Sequence, residues 1–434
     1  MNTPASLVVI GLGYVGLPLA LAFSREFPTS GFDIDTSRIE ELLAGVDRNN
    51  EFTDSELMSS KLVLTKDPSC ISDAEFIVVT VPTPVSQNHV PDLSMLRSAS
   101  QLIGTRLRER TRNLPRPIIV FESTTYPGCT EEFCGPLIEN VSGLESGVDF
   151  FLGYSPERTN FGDDTHTLEA VIKVVSGQTP EVTQTVRNTY SRIAKAGTHV
   201  AVNIKTAEAS KVIENIQRDL NIALFNELAM IFDRMDIRSA DVFDAAATKW
   251  NFHRYQPGLV GGHCIPVDPY YLTYASSKLG YDAHVVLAGR DVNERVAGFT
   301  ANKVSVLTRS AALGSSKPSV LVLGMTFKPN VSDLRNSKAL TLAKLLLEQN
   351  LAVQVYDPVA GEQFPEDIGL RLHEDPFISN KTYNAVILAV PHDVFMIKKT
   401  CIVDLVNPGG LLVDLPSILN QSEIESTGKV YWSL

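Results

Sequence analysis

The chain has few cysteines, and none of them is spaced for redox or metal chemistry. Its 434 residues contain five cysteines, and no two of them form the C-x-x-C pattern that redox and zinc sites use. We therefore expect structural thiols, no metal site and a reducing, cytoplasmic compartment. The five are Cys70, Cys129, Cys134, Cys264 and Cys401.

The sequence also has no long apolar run and no excess of basic charge. A membrane-spanning helix needs about 18 or more apolar residues in a row, and no segment supplies them. Residues 7–23 are largely apolar, but glycines interrupt them and no basic residues precede them, so we expect no signal peptide. The 38 basic and 50 acidic residues give a net charge of −12. We expect neither a nucleic-acid nor a membrane partner.

Short apolar runs alternate with helical patterns at both ends of the chain. Examples are residues 7–10, 76–81, 117–121 and 385–390. Such alternation predicts an α/β fold with parallel sheets covered on both faces. Residues 206–235 contain neither proline nor glycine and show helical periodicity, which predicts a long central helix.

We therefore expect two Rossmann-like doubly wound lobes joined by a long central helix and a helical middle domain. The expected domains are 1–199, 200–314 and 315–434, with Gly314–Pro318 as a linker.

The two ends share a common pattern. Near the start, Gly11 follows a strand and Asp33 ends the next one, and near the end Gly324 and Asp357 do the same. Either the lobes arose by duplication, or they share the pattern common to doubly wound folds. Both explanations lead to the same architecture.

A glycine fingerprint opens the first lobe. Gly11, Gly13 and Gly16 follow a predicted strand and begin a predicted helix, and Asp33 stands 22 positions after Gly11. The glycines permit close approach of a pyrophosphate at the helix N-terminus, and the acid suits a ribose hydroxyl pair. A carboxylate there disfavours a 2′-phosphate, so the pattern predicts NAD rather than NADP, although a degenerate turn that binds nothing has the same spacing.

The loop 257–269 carries a cysteine just ahead of a predicted helix. Asp268 is the expected N-cap and Pro269 the first helical residue, with the helix continuing to Gly280. The positive end of the helix dipole would stabilise a Cys264 thiolate as a nucleophile. The alternative is a buried thiol beside an ordinary capping acid.

Three further segments carry side chains suited to a ligand site. Lys211 and Asn215 lie four apart on the long helix, where they would stabilise an oxyanion or simply face solvent. Two other segments follow strands, where ligands bind in such sheets, although each also fits an ordinary turn or surface loop. The first of these segments follows residues 117–121 and carries Thr124. The second is GYSPERTNFG, which carries Glu157 and Arg158.

A cationic loop follows the first strand of the second lobe. Lys328 and Arg335 lie in GMTFKPNVSDLRNS, at the place where Rossmann-like lobes bind phosphate. A surface loop with scattered charge is the alternative.

Taken in order, these motifs closely resemble the UDP-glucose/GDP-mannose dehydrogenase family over nearly the whole chain. The resemblance is carried by GLGYVGLPLA, VPTP at 81–84, ST at 123–124, SPER at 155–158, K-x-x-x-N at 211–215, GGHCIPVDP at 261–269 and FKPNVSDLRNS at 327–337. It implies NAD on the first lobe, a UDP-sugar held between the lobes with its nucleotide on the second, and a homodimer or a multiple of dimers.

The same resemblance implies a role for each matching residue. Cys264 would trap an aldehyde as a thiohemiacetal and then a thioester. Lys211 and Asn215 would stabilise the C6 oxyanion, Asp268 and Thr124 would position water, and Glu157 would act in thioester hydrolysis. Implied NAD contacts are Gly11, Gly13, Tyr14, Val15, Gly16, Asp33, Arg38, Thr83 and Thr124. Implied substrate contacts are Glu157, Arg158, Lys211, Asn215, His253, Arg254, Gly261, Lys328 and Arg335.

Two positions depart from the UDP-glucose branch of that family. Phe161 stands where that branch has a second acid, and Val267 stands where it has lysine. The segment 250–271 instead resembles the UDP-N-acetylhexosamine branch of bacterial surface-polysaccharide synthesis. This resemblance implies that His253 and Arg254 contact substrate and that they could do so across a subunit interface.

The resemblance thus implies NAD-dependent four-electron oxidation of the C6 hydroxyl of UDP-GlcNAc or UDP-GalNAc to the uronic acid. The alternatives are a UDP-glucose or UDP-N-acetylmannosamine 6-dehydrogenase and, more remotely, a non-catalytic sensor of NAD and nucleotide sugar.

Overall fold

The chain folds into two compact units in a computed structural model. The first contains residues 1–214 and 270–282, and the second contains 215–269 and 283–434. The structure describes residues 3–49, 51–86, 88–111, 113–159, 165–312, 317–361, 364, 369–370, 372–379 and 381–434. The expected division at 199 and 314 stays a prediction, and Phe161 and most of the expected linker lie outside the described residues.

The first unit is built on an eight-stranded sheet with the strand order β3-β2-β1-β4-β5-β6-β7-β8. The central strands β1, β4 and β5 are buried at every position, as their uninterrupted apolar runs predict. The strands are β1 (Leu7–Ile10), β2 (Thr29–Phe32), β3 (Val63–Thr65), β4 (Phe76–Val79), β5 (Ile118–Phe121), β6 (Phe151–Tyr154), β7 (Lys173–Gly177) and β8 (Thr198–Val200).

Within the described part of this unit, six α-helices accompany the sheet in sequence before the long helix begins. They are α1 (Gly16–Glu26), α2 (Thr36–Leu43), α3 (Asp54–Met58), α4 (Ser94–Arg108), α5 (Gly135–Ser142) and α6 (Pro180–Tyr190). The apolar face of α1 packs with the sheet in one core cluster that includes Leu19, Phe23 and Val78. The sheet order reverses at β1, so the crevice beyond β1 and β4 is where such folds bind ligands.

One pair of strands in this sheet departs from the parallel arrangement that the apolar runs predict. β6 and β7 pair antiparallel, through Gly153 with Gly177 and Tyr154 with Ser176. Parallel neighbours need a crossover, usually a helix, whereas the described parts of this connection, 155–159 and 165–172, contain no helix. The chain therefore turns back beside β6.

The long helix is present, and the chain then adds further helices. α7 (Ile204–Arg234) has 31 residues, close to the expected 206–235, and continues from the first unit into the second. The later helices are α8 (Ser239–Ala247), α9 (Asp268–Lys278), α10 (His284–Ala311), α11 (Lys338–Glu348), α12 (Asp393–Ile397), α13 (Lys399–Asp404) and α14 (Gln421–Ser426). α9 begins at Asp268, so the expectation that Asp268 is the N-cap is wrong by one residue.

The second unit has a five-stranded parallel sheet with the order β10-β9-β11-β12-β13. Its strands are β9 (Ser319–Leu323), β10 (Ala352–Tyr356), β11 (Tyr383–Leu388), β12 (Val406–Asp414) and β13 (Val430–Ser433). One face packs against α10 and α11 in an apolar cluster that includes Val304, Val322 and Leu342. Among the described helices, none combines the length and apolar character required to cross a membrane.

Candidate active site

The glycine loop after β1 forms a tight cradle at the start of α1. Gly11 has φ +92°, and a Cβ on Gly16 would lie 1.7 Å from the Gly11 carbonyl oxygen, so neither position accepts a side chain without strain. No atom lies within 4 Å of a Cβ built on Gly13, which leaves that side of the loop open. The Thr80 hydroxyl donates to the Gly11 carbonyl at 2.7 Å and fixes the turn. This loop fits a pyrophosphate.

Asp33 follows β2 and holds the same loop. Its carboxylate accepts from the Leu12 amide at 2.7 Å and from the Asp35 amide at 2.9 Å. A carboxylate offers about four acceptor positions, so lone pairs remain for ribose hydroxyls. Both the open glycine and the acid therefore fit NAD.

Arg38 lies behind the loop, where it is 3% exposed. Its Nε donates to the Leu12 carbonyl at 2.9 Å, and its Nη2 pairs with Asp47 at 2.8 Å. The structure thus shows the side chain supporting the loop from inside, while a direct contact of Arg38 with NAD stays a prediction.

The remaining predicted NAD residues are half-buried around the same strand ends. Thr83 follows β4, and its carbonyl accepts from the Tyr271 hydroxyl at 2.8 Å. Thr124 follows β5, beside Ser123, whose hydroxyl donates to the Val81 carbonyl at 2.6 Å. Tyr14 and Val15 lie within the glycine loop itself.

Glu208 on α7 anchors the segment after Thr124. Its buried carboxylate accepts from the Gly128 amide at 2.5 Å, the Thr130 amide at 2.8 Å and the Thr125 and Thr130 hydroxyls. Burial raises the pKa of Glu208 to about 7 against these hydrogen bonds, which lower it. The sequence reasoning missed Glu208, although an acid one turn before Lys211 in a predicted helix was visible.

The loop after β6 brings Glu157 and Lys211 together. Lys211 Nζ donates to the Glu157 carbonyl at 2.9 Å. The Glu157 carboxylate accepts from the Arg158 and Thr159 amides at 2.6 and 2.5 Å. Arg158 itself pairs with Glu214 at 2.7 Å.

The pKa of Glu157 is lowered in this loop. Burial alone would raise it, but the nearby Lys173 ammonium, the Thr159 amide and the Lys211 ammonium outweigh that effect. The group is therefore a carboxylate at neutral pH. Lys173 was also missed by the sequence reasoning, and its signal was a lysine within an apolar strand.

Cys264 lies in the second unit, half-buried, in a turn that leads into α9. Its carbonyl accepts from the Val267 amide at 3.1 Å and the Asp268 amide at 2.9 Å. Asp268 is 2% exposed, and the Asn215 amide donates to its Oδ2 at 2.5 Å. The structure therefore brings together Asn215 and Asp268 and places Cys264 just before the helix N-terminus, as the sequence predicts.

A cavity of about 330 Å³ lies in the second unit beyond β9 and β11. It is lined by Gly261, Phe327, Lys328 and Lys338 among others, and its size suits a small-molecule ligand. Two cationic side chains at its wall fit a diphosphate. Lys338 was not among the predicted site residues.

The other predicted substrate residues lie at or near the surface. Arg335 forms a two-pronged ion pair with Asp333, at 3.0 Å from Nε and 2.6 Å from Nη2. His253 and Arg254 are exposed, and Arg254 pairs with Asp244. Among the described residues, no group of three or more His, Cys, Asp or Glu side chains could hold a metal ion.

A doubly wound sheet with a glycine cradle and a ribose-type acid is typical of dinucleotide-binding enzymes. Comparison with known families narrows this class. The UDP-glucose/GDP-mannose dehydrogenase family matches through three models: its NAD binding domain at residues 5–194, its central domain at 205–295 and its UDP binding domain at 321–421. The chain belongs to this family of NAD-dependent UDP-sugar dehydrogenases.

Individual relatives cover nearly the full length. The chain is 44% identical to Protein CapL of Staphylococcus aureus over 98% of this chain and 99% of that protein. It is 45% identical to the UDP-N-acetyl-D-glucosamine 6-dehydrogenase of Pseudomonas aeruginosa over 90% of this chain and 91% of that protein. The solved UDP-D-ManNAc dehydrogenase of Pyrococcus horikoshii has 28% identity and a TM-score of 0.85, covering 99% of this chain and 98% of its own.

Proposed function

We propose that this chain oxidises the C6 hydroxyl of a UDP-N-acetylhexosamine, UDP-GlcNAc or UDP-GalNAc, to the uronic acid in a four-electron reaction. Cys264 carries the proposal, because its place ahead of α9 favours a thiolate and because a covalent thioester lets one site perform two oxidations. The 45% identity to a UDP-N-acetyl-D-glucosamine 6-dehydrogenase supports the choice of sugar.

The cofactor site belongs to the first unit. When bound, NAD accepts the hydride in each of the two oxidations. Gly11, Gly13 and Gly16 would hold its pyrophosphate and Asp33 its adenosine ribose, with Arg38 supporting the loop. We place Tyr14, Val15, Thr83 and Thr124 in the same site.

Cys264 carries the sugar between the two oxidations. Its sulfur adds to the C6 aldehyde to give a thiohemiacetal, and loss of a second hydride gives a thioester. Water then attacks the thioester carbon, the carbon–sulfur bond breaks, and the carboxylate leaves with the thiol restored. The aldehyde is therefore never released.

The surrounding polar residues stabilise charge and handle protons. Lys211 and Asn215 would stabilise the oxygen that becomes negative at C6. Asp268, held by Asn215 at 2.5 Å, and Thr124 would orient the attacking water, and Glu157 would accept its proton.

We place the UDP group in the cavity of the second unit, on Lys328 and Gly261 with Lys338 beside them. Arg335, Arg158, His253 and Arg254 are the further substrate contacts that we propose. Arg335 would have to exchange its pairing with Asp333 for a phosphate.

A UDP-N-acetylmannosamine dehydrogenase is the second candidate. A relative of that name in Pyrococcus horikoshii is 31% identical to this chain and has the same fold. The higher identity to the GlcNAc enzyme favours the first candidate. UDP-glucose is a third possible substrate, and a sensor without catalysis is disfavoured because Cys264, Lys211 and Asp268 are all present.

Replacing the cysteine tests the covalent mechanism. We expect Cys264→Ser to abolish steady formation of the acid, because the hydroxyl is a far weaker nucleophile than a thiolate. NAD binding, measured by titration, should be unchanged. Undiminished NADH turnover in Cys264→Ser would contradict the covalent mechanism, and Cys70→Ser serves as the matched control.

A further inference from the structure

The first unit encloses a charged pair that the proposed chemistry does not yet use. Lys173 on β7 and Glu122, directly after β5, both have side chains that are 0% exposed, and Lys173 Nζ lies 2.5 Å from Glu122 Oε2. The Tyr190 hydroxyl donates to Glu122 Oε1 at 2.5 Å. Apolar replacements of buried ion pairs are often neutral or stabilising. Stability alone therefore does not account for this pair.

Lys173 also faces Glu157. Its Nζ lies 3.8 Å from Glu157 Oε2, while Glu157 Oε1 accepts from the Arg158 and Thr159 amides. The two oxygens of the carboxylate are thus held by different groups. This arrangement depends on the antiparallel return of β7 beside β6, which the Ser155 hydroxyl also fixes by donating to the Val174 carbonyl at 2.7 Å.

Several charged or titratable groups act on Glu157 from neighbouring elements. Lys173 and Lys211 lower its pKa, and the acids around it act in the opposite sense. Those groups are Glu122 after β5, Tyr190 on α6 and Glu51 after α2.

We propose that Lys173 is a positioning residue, which with Glu122 and Tyr190 behind it fixes the Glu157 carboxylate in the orientation that accepts a proton from the water attacking the thioester. The inference rests on the proposed function. In this step the water oxygen bonds to the thioester carbon and Glu157 takes one water proton. The carbon–sulfur bond breaks with its electron pair on sulfur, and the proton passes from Glu157 to solvent.

The test separates hydride transfer from hydrolysis. Enzyme is mixed with UDP-GlcNAc and NAD, and the first-turnover burst of NADH is compared with the steady rate. We expect Lys173→Met to keep the burst and to lower the steady rate by roughly 10-fold to 100-fold, because only the hydrolytic step is impaired. Lys173→Arg, which keeps the cation, should recover a large part of the steady rate that is lost in Lys173→Met.

The pH dependence of the steady rate distinguishes this role from a purely structural one, because a structural role of Lys173 would not change it. The cation lowers the pKa of Glu157, so its removal raises that pKa, and the acid limb of the steady rate should move up by about one pH unit in Lys173→Met. It should stay in place in Lys173→Arg. Lys195→Met, which removes an exposed lysine paired with Glu169, is the control and should change neither quantity.

An unmoved acid limb together with an unchanged ratio of burst to steady rate in Lys173→Met would overturn the inference. If Lys173→Met fails to fold, the double variant Glu122→Gln with Lys173→Met must still show the raised ratio of burst to steady rate, and its acid limb should move in the same direction by a smaller amount, because Glu122→Gln also removes a charge that raises the pKa of Glu157. Failure of the proposed function looks different, because the unmodified enzyme would then form no acid or yield one NADH per sugar.

Discussion

Asp33 serves two purposes with one carboxylate. It binds the amides of Leu12 and Asp35, which fixes the glycine loop before any cofactor arrives. The same negative charge would accept ribose hydroxyls and repel a 2′-phosphate. We therefore expect the same residue that preorganises the loop to provide selectivity for NAD.

We expect Asp33→Asn to raise the dissociation constant of NAD by about tenfold, since the amide loses the charge and one acceptor oxygen. The difference between the dissociation constants of NAD and NADP should become smaller in the same variant. Titration of both cofactors measures this, with Asp241→Asn, an exposed acid of the second unit that pairs with Arg238, as the control. Unchanged selectivity in Asp33→Asn would remove Asp33 from the cofactor site.

At the scale of residues, the sequence makes its clearest predictions where the spacing of residues reflects the chemistry. The glycine fingerprint, Asp33 and the lysine–asparagine pair of α7 are visible as patterns. Lys173 and Glu122 were missed because their pairing joins strands β7 and β5, far apart in sequence, and no local periodicity reports it. Arg38 was expected at the cofactor, yet its observed contacts are with Leu12 and Asp47.

At the scale of elements, the cysteine loop is fixed by the segment after β9. A Cβ on Gly262 would lie 2.7 Å from the Phe327 ring, and one on Gly261 would lie 2.8 Å from the Asn336 carbonyl oxygen. The Asn336 amide donates to the Gly262 carbonyl at 3.0 Å. The segment that lines the cavity with Phe327 therefore also holds the backbone just before Cys264.

We expect Gly262→Ala to lower kcat by about 10-fold to 100-fold, because the strained φ of +88° and the contact with Phe327 displace the loop. The dissociation constant of NAD should not change. Gly298→Ala, where no atom lies within 4 Å of the added carbon, is the matched control. A Gly262→Ala enzyme with full kcat would show that the loop tolerates displacement.

The elements themselves followed largely from apolar periodicity. The predicted strands and the long helix α7 are found within a few residues of their predicted ends. Strands β3, β7, β8 and β13 were missed. The edge strands β3 and β8 are only partly buried and have a weak apolar signal, and β7 begins with a lysine. The direction of β7 depends on how the chain crosses between strands, which composition does not report.

At the scale of the whole molecule, the two sheets repeat one pattern with different outcomes. In the second unit Asp357 accepts from the Met325 amide at 2.5 Å, as Asp33 does from Leu12 in the first. His392, however, is buried against Asp357, with Nε2 at 3.1 Å, and its Nδ1 accepts from the Asn330 amide. In the second unit, protein groups therefore occupy the acid that corresponds to the ribose-binding Asp33. This holds whether the two lobes arose by duplication or only share a common pattern.

We expect a homodimer in solution. Leu224, Ile231 and Met235 share one side of α7 and its end, and they are 51%, 44% and 59% exposed. Light scattering should give twice the chain mass of 47.5 kDa, because such an apolar stripe favours burial against another copy.

The double variant Leu224→Glu with Ile231→Glu should reduce the measured mass to that of one chain. Val202→Glu, at a site that is 92% exposed in the first unit, should leave the dimer intact. A single-chain mass for the unmodified protein at micromolar concentration would contradict the expectation.

The most direct test of the central claim is the yield of NADH per mole of limiting UDP-GlcNAc, with UDP-GalNAc and UDP-glucose measured in parallel. Four-electron oxidation through Cys264 predicts about two NADH for each sugar oxidised. The proposed substrate predicts this yield from an N-acetylated sugar and little NADH from UDP-glucose. A yield of one NADH would contradict the covalent two-step oxidation, and faster turnover of UDP-glucose than of either N-acetylated sugar would contradict the proposed substrate.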